Sequence, residues 1–295
     1  MLKELPQLLR AMRPHQWTKN ALVLAAIIFA MKWHDMSAVR ATVQAFAAFC
    51  ALSSFTYLLN DLRDAEEDRH HPTKRNRPIA SGRLRPSTAW AAGFVLLAAG
   101  MALAFDVNAE TGLIASTYMF ITVLYQLGMK NMVILDVLAL SAGFVLRAVA
   151  GATAIQAEIS PWLLICTMQL SLFLALGKRR GEIVLLGDGA AAHRAALAQY
   201  STYLLDQMIS VVTASTVMSY ALYTISDRTV KLVGSTHMMY TLPFVIYGIF
   251  RYLYIIHNTG MSDAPDKALF ADKPLLSSVV LFVATACVIL WLGHR

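Results

Sequence analysis

Nine separate apolar stretches, most of them near membrane-spanning length, constrain this chain more than any other feature. They run roughly over 19–33, 39–60, 87–105, 109–128, 132–154, 160–177, 208–226, 236–257 and 274–293. About 20 apolar residues in a helix cross the ~30 Å of hydrocarbon in a bilayer. Lipid offers the backbone no hydrogen-bonding partner, so such segments are expected to be helices. The rest of the composition agrees: 57% of the 295 residues are hydrophobic and only 15% are charged. That excludes an ordinary soluble domain. The pattern predicts an all-α, polytopic membrane protein with nine transmembrane helices in a single domain over 1–295.

The cations orient it. With the amino terminus in the cytoplasm, the inside segments carry eighteen Lys and Arg, and the outside segments carry five: Lys32, Arg40, Arg228, Lys231 and Arg295. The positive-inside rule favours that arrangement. The long links, 61–86, 178–207 and 258–273, then all fall on the cytoplasmic side with most of the ionisable residues, so function is expected there. The site is thus expected on the cytoplasmic face of a multi-pass protein of the cytoplasmic membrane. Residues 1–18 read as an interfacial segment, with Leu2, Leu5, Leu8, Leu9 and Met12 at helical spacing. The net charge of +7 follows topology and an anionic substrate rather than nucleic acid. Cys50, Cys166 and Cys287 are far apart in apolar spans and read as buried thiols.

The chemistry concentrates after the second span, in Asn60-Asp61-Leu62-Arg63-Asp64-Ala65-Glu66-Glu67-Asp68. If the helix continues unbroken, Asn60, Asp64 and Asp68 fall at i, i+4 and i+8. Each step returns to within ~40° of one face and rises ~6 Å. Asp61 lies about 100° away and reaches the edge of that stripe. Hard oxygen ligands of this kind suit magnesium, which binds one or two carboxylates together with substrate phosphates. The alternative is a solvated helix end whose acids pair with Arg63, Arg69 and Lys74.

The pattern Asn-Asp-x-x-Asp-x-x-x-Asp at the end of the second of nine spans resembles the UbiA-type superfamily of intramembrane prenyltransferases, over essentially the whole chain. That resemblance implies a helical cavity open to the cytoplasmic face, with Mg2+ and a diphosphate held at its mouth. Tyr125 and Lys130, in Tyr125-Gln-Leu-Gly-Met-Lys130, are similar to the phosphate-contacting pair after the family's fourth span. One element departs from the pattern. Where ordinary members carry a second aspartate-rich motif, this chain has Leu176-Gly177-Lys178-Arg179-Arg180-Gly181-Glu182. Cations bind an additional phosphate there more readily than a second metal. With Arg13-Pro14-His15-Gln16-Trp17-Thr18-Lys19-Asn20, the stretch from His71 to Gly82, and Leu135-Asp136 through Arg147 to Gly151, the chain resembles the decaprenyl-phosphate phosphoribosyltransferase branch.

The resemblance implies an enzyme that moves a 5-phosphoribosyl group from phosphoribosyl diphosphate (PRPP) to a polyprenyl phosphate. Such a product would feed cell-wall arabinan or a related glycan. PRPP has two anionic ends, and the acidic motif and the basic cluster supply one site for each. The expected roles follow. Asn60, Asp64 and Asp68 hold the metal; Asp61, Asp64 and Asp68 are the catalytic acids. Lys19, Lys74, Arg75 and Arg77 meet phosphates of donor or acceptor. Lys178 and Arg179 take the 5-phosphate, with Glu182 bridged to Lys178 at i+4. Tyr125 and Lys130 border the pyrophosphate or lipid phosphate. Asp136 either accepts from the ribose hydroxyls or pairs with Lys130 or Arg147. Arg147, inside a span, either meets phosphate or locks helices. Arg251 reads as a snorkelling cation. Phe55, Phe144, Met168 and Phe173 line a lipid groove or pack the core. Two rival readings stay open: a UbiA-type enzyme using a prenyl diphosphate donor, and a transporter of an anionic metabolite. Self-association of the chain is also left open.

Overall fold

The protein is described by a computed structural model covering residues 4–70, 74–186, 195–258, 268–269 and 271–293, and every regular element among them is helical. His71, and residues 259–267 of the link 258–273, lie outside the described residues. Helix α1 (Leu5–Met12) leads through a 3-10 segment, Pro14–Ala21, into the short α2 (Leu22–Phe29). There follow α3 (Met36–Arg63), α4 (Ala65–His70), α5 (Pro86–Val107), α6 (Ala109–Leu127), α7 (Leu135–Ala154) and α8 (Pro161–Leu186). The carboxyl-terminal part comprises α9 (Thr202–Ile225), α10 (Asp227–Val233), α11 (Leu242–Asn258) and α12 (Lys273–Gly293).

Local chemistry sets the helix starts. Each first turn leaves backbone N–H groups without intrahelical partners. Asp35 accepts from the Ser37 N–H at 2.8 Å, Asn108 from Thr111 at 2.8 Å, Ser201 from Leu204 at 3.1 Å and Asp272 from Leu275 at 2.8 Å. Pro86 sits in the first turn of α5, where its missing N–H costs nothing.

Among the described residues six helical segments are long and apolar enough to cross a membrane: Met36–Arg63, Pro86–Val107, Leu135–Ala154, Thr202–Ile225, His237–Asn258 and Lys273–Gly293. The other three predicted spans fare differently. The 19–33 stretch gives only the eight-residue α2 behind its 3-10 turn, because Pro14 to Asn20 does not settle into an α-helix. The 109–128 and 160–177 stretches give α6 and α8, of 19 and 26 residues, which are not among the six.

The chain forms two compact units, residues 1–127 with 142–159, and residues 128–141 with 160–295. Helix α7 contributes its first turns to the second unit and the remainder to the first. In the first unit α3 packs on α5 and α6 around Phe49, Leu52, Phe55, Tyr118 and Met119. Lipid tails are as apolar as leucine, so close van der Waals approach holds such helices together. Gly151 shows how close: a Cβ there would stand 2.1 Å from the Val23 carbonyl oxygen. In the second unit α8, α9 and α11 pack around Phe173, Leu176, Leu205, Ile209, Tyr252 and Ile255. Phe55 and Phe173 are therefore core residues of their own units.

Candidate active site

The acidic motif does not lie on one unbroken helix. Asp64, at φ −88° and ψ 7°, ends α3 after Arg63, and α4 begins at Ala65. The helical ladder nevertheless continues through the break. The Asp64 N–H donates to the Asn60 carbonyl at 2.9 Å, and the Asp68 N–H to the Asp64 carbonyl at 2.8 Å. The i, i+4, i+8 repeat thus survives with a bend at its middle member.

Two carboxylates of this motif, Asp61 and Asp68, are buried, with 1% and 3% exposure. Two arginines join them. Arg77 Nη1 donates to Asp68 Oδ2 at 2.7 Å and to Asp61 Oδ1 at 3.1 Å, and Arg13 Nη2 donates to the same Asp61 oxygen at 2.5 Å. Asp61 and Asp68 therefore pair neither with Arg63, whose Nη1 donates to the Gln126 carbonyl, nor with Arg69, which holds Glu66 of the same motif. Arg13 itself adopts φ +54° at the junction of α1 and the 3-10 segment, and its guanidinium lies over Tyr57, 5.1 Å from the ring centroid. In the sequence Arg13 stands only as part of a motif; no spacing rule links it to an acid 48 positions away.

Asp61 Oδ2 is buried and accepts no hydrogen bond. An orphaned carboxylate oxygen is costly unless something cationic or protic reaches it. Buried oxygens of this kind fit a magnesium ion. Among the described residues no three His, Cys, Asp or Glu side chains converge to hold a metal unaided. Magnesium does not require that, since it keeps waters and shares one or two carboxylates with substrate phosphates.

Arg147 joins a different set of residues in the first unit. Its Nε donates to Asn20 Oδ1 at 2.7 Å, Nη1 to the Gly143 carbonyl at 2.8 Å and Nη2 to the Tyr118 hydroxyl at 2.8 Å. The guanidinium also faces the Tyr118 ring, 4.7 Å from its centroid. Asn20 in turn donates to Ser53 Oγ at 3.1 Å. Of the two roles the sequence allows, the geometry realises the locking of helices: one buried cation ties the 3-10 segment, α3, α6 and α7.

In the second unit the basic cluster divides. Arg179 is 1% exposed; its Nε donates to Asp136 Oδ2 at 2.6 Å and its Nη1 to Glu182 Oε2 at 2.8 Å. Arg180 donates to Asp206 at 2.6 Å and to the Ile256 carbonyl at 3.3 Å. Lys178 alone of the three stands well out, 44% exposed, with Glu182 only at 4.0 Å. Asp136 thus pairs with Arg179, a partner that the sequence does not suggest. Its other oxygen, Oδ1, accepts from the Tyr200 hydroxyl at 2.8 Å. Burial foremost, helped by the neighbouring carboxylate, pushes the Tyr200 phenol up to about 12, so it stays a donor at neutral pH.

The remaining candidates take these places. Lys19 lies half-buried on the 3-10 segment, Lys74 half-buried and Arg75 exposed on the turn Lys74–Asn76, and Asn60 near the end of α3. Tyr125 is half-buried near the end of α6, and Lys130 on the turn Met129–Asn131. Arg251 does more than snorkel. It grips Asp272 through two nitrogens at 2.8 and 3.1 Å, and this pairing, more than any other influence, holds the Asp272 carboxyl below its usual range.

Comparison with known proteins decides the family. The family model described as "UbiA prenyltransferase family" matches residues 21–272. The chain belongs to the UbiA prenyltransferase family. Curated relatives include two decaprenyl-phosphate phosphoribosyltransferases. The one from Mycolicibacterium smegmatis is 34% identical over 97% of this chain and 90% of its own length. The one from Corynebacterium glutamicum is 36% identical over 91% of this chain and 82% of its own. Among solved structures, a UbiA homolog from Archaeoglobus fulgidus bound to GPP and Mg2+ aligns with a TM-score of 0.73, covering 96% of this chain and 99% of that one. Its 19% identity makes that a likeness of UbiA fold alone.

Proposed function

We propose that the protein transfers the 5-phosphoribosyl group of PRPP to a polyprenyl phosphate, decaprenyl phosphate by analogy with its relatives, and releases pyrophosphate. One observation carries this reading. Relatives that it matches over nearly the whole chain include decaprenyl-phosphate phosphoribosyltransferases.

The roles follow from charge. Asp61 and Asp68, with Asn60 and Asp64 on the adjoining turns, would hold Mg2+ and through it the diphosphate. When bound, the ion supplies charge neutralisation for the departing pyrophosphate. Arg13 and Arg77 hold the two buried carboxylates in place and keep excess negative charge from repelling the donor. Lys19, Lys74, Arg75 and Tyr125 are assigned to the phosphates of donor or acceptor, and Lys130 to the donor's pyrophosphate. Lys178 takes the 5-phosphate, with Glu182 beside it, while Arg179 is reassigned from ligand to support. Asp136, committed to Arg179 and Tyr200, is reassigned likewise.

The acceptor phosphate is ionised at neutral pH, so no strong base is required. Its oxygen forms a bond to C1 as the C1–O bond to pyrophosphate breaks, and the pyrophosphate leaves with the electron pair. Cations around the two phosphate groups stabilise that charge separation. A single displacement inverts the anomeric centre. The reading further takes the chain as one domain of nine membrane spans, α2, α6 and α8 included, with the site opening to the cytoplasmic side of the cytoplasmic membrane.

Purified protein in detergent tests it, supplied with Mg2+, a polyprenyl phosphate and PRPP labelled in the ribose. Label should enter the lipid fraction, and a chelator should abolish that. Label entering lipid or an aromatic acceptor only from a prenyl diphosphate would assign the chain to the prenyl-donor enzymes instead.

A further inference from the structure

We infer that Tyr200 is a positioning residue, whose single hydroxyl holds a strained turn before α7 in the shape that presents Lys130 and supports Lys178 for donor binding. The inference rests on the phosphoribosyl-transfer reading. Four observations carry it. Ile134 has φ +70°, a region that a β-branched residue scarcely enters. The Leu135 N–H reaches back to the Val133 carbonyl at 2.8 Å, which closes a three-residue turn of the rare positive-φ kind around Ile134. The Ile134 N–H donates to the Tyr200 hydroxyl at 2.7 Å, and that hydroxyl donates to Asp136 Oδ1 at 2.8 Å. Finally, the turn Met129–Asn131, which carries Lys130, packs against Ala195–Gln199, the turn that ends beside Tyr200.

Strain of this kind persists only where surrounding contacts over-determine it. Here one phenol supplies two of them: it accepts from the strained residue and donates to the carboxylate two positions on. Asp136 then fixes Arg179 Nε, Arg179 fixes Glu182, and Glu182 stands beside Lys178. Without the hydroxyl, Ile134 is free to relax to negative φ. That relaxation moves Lys130 on one side and Asp136 on the other.

Tyr200→Phe removes only the oxygen. The expected result is a rise of about tenfold in the KM for PRPP, with the KM for polyprenyl phosphate unchanged. A residue of purely structural importance would instead lower the active fraction and leave both KM values where they were; that result overturns the proposal. The second variant makes the turn itself the subject. Glycine adopts positive φ without penalty, and Ile134 is 46% exposed, so Ile134→Gly removes the strain with limited loss of packing. In the Tyr200→Phe background, Ile134→Gly should restore much of the lost donor affinity. No recovery would overturn the strained turn. Should Tyr200→Phe fail to fold, the double variant decides in its place: folded, donor-saturable enzyme supports the strained turn, and continued failure to fold overturns it. The wild-type enzyme keeps the two questions apart: no transfer from PRPP at all defeats the functional reading, whereas transfer with an unmoved donor KM in Tyr200→Phe defeats only the role of the phenol.

Discussion

The two units solve the problem of buried charge in opposite ways. In the first, two carboxylates, Asp61 and Asp68, share two arginines, and one oxygen of Asp61 is left over. In the second, one arginine, Arg179, is shared by two carboxylates, and both oxygens of Asp136 are engaged. The first network is open and has capacity for a further cation. The second is closed. Acid and base look alike in the two stretches of sequence; burial and hydrogen-bond completeness tell the two networks apart.

The largest expected effect lies in the open network. Asp61→Asn keeps the shape but weakens the hold on a divalent cation, and should lower transfer by about 10³-fold. Added Mg2+ should recover part of the activity. Near-normal turnover at ordinary Mg2+ would mean that Asp61 is structural and the two networks are alike after all.

In the closed network the effect should fall on stability. Arg179→Met leaves Asp136 buried and unpaired, at a cost of about 3–5 kcal/mol. The double variant Arg179→Met with Asp136→Leu should regain most of that, because both charges are then gone. Thermal unfolding in detergent reads both. A stable but donor-blind Arg179→Met would return Arg179 to the substrate.

Arg147 sharpens the comparison as a buried cation in the first unit whose network is closed. Lysine keeps its charge and loses the planar fork that serves Asn20, Gly143 and Tyr118. Arg147→Lys should therefore cost about 1–3 kcal/mol of stability and leave the KM for PRPP unchanged. A selective rise in that KM would reinstate phosphate contact.

The smallest effect is a pH dependence. Asp272 is held below its ordinary carboxyl value, chiefly by Arg251, so the folded state binds fewer protons there than the unfolded state. Its contribution is present above the unfolded value of about 3.9 and is lost as pH falls below it. Asp272→Asn should flatten the acid limb of a stability–pH curve. An unchanged limb would show that the Arg251 pair is dispensable.

How much of this is legible in the chain differs by physical cause. The helices are, because lipid enforces one backbone solution and the apolar runs are long; the 19–33 stretch is only partly α-helical, because its first residues belong to the 3-10 segment that begins at Pro14. Asp61 and Asp68 are legible as acids because they sit within one short stretch; Arg77, expected to meet phosphate, is instead their ion-pair partner. Arg13 and Tyr200 are not, since they reach their partners across 48 and 64 positions, and periodicity carries no information at that range. Arg179, expected as a ligand, is instead buried and paired with Asp136 and Glu182, because three consecutive cations on a helix point three ways and only burial shows which one stays at the surface.

The most direct test of the central claim crosses Lys178 with the 5-phosphate. Transfer would be measured from PRPP and from ribosyl diphosphate lacking that phosphate, with wild-type enzyme and with Lys178→Ala. The account predicts that the wild type prefers PRPP by at least about tenfold in kcat/KM, and that Lys178→Ala loses most of the preference by falling on PRPP alone. An equal loss with both donors, or a preference that survives intact, would contradict it.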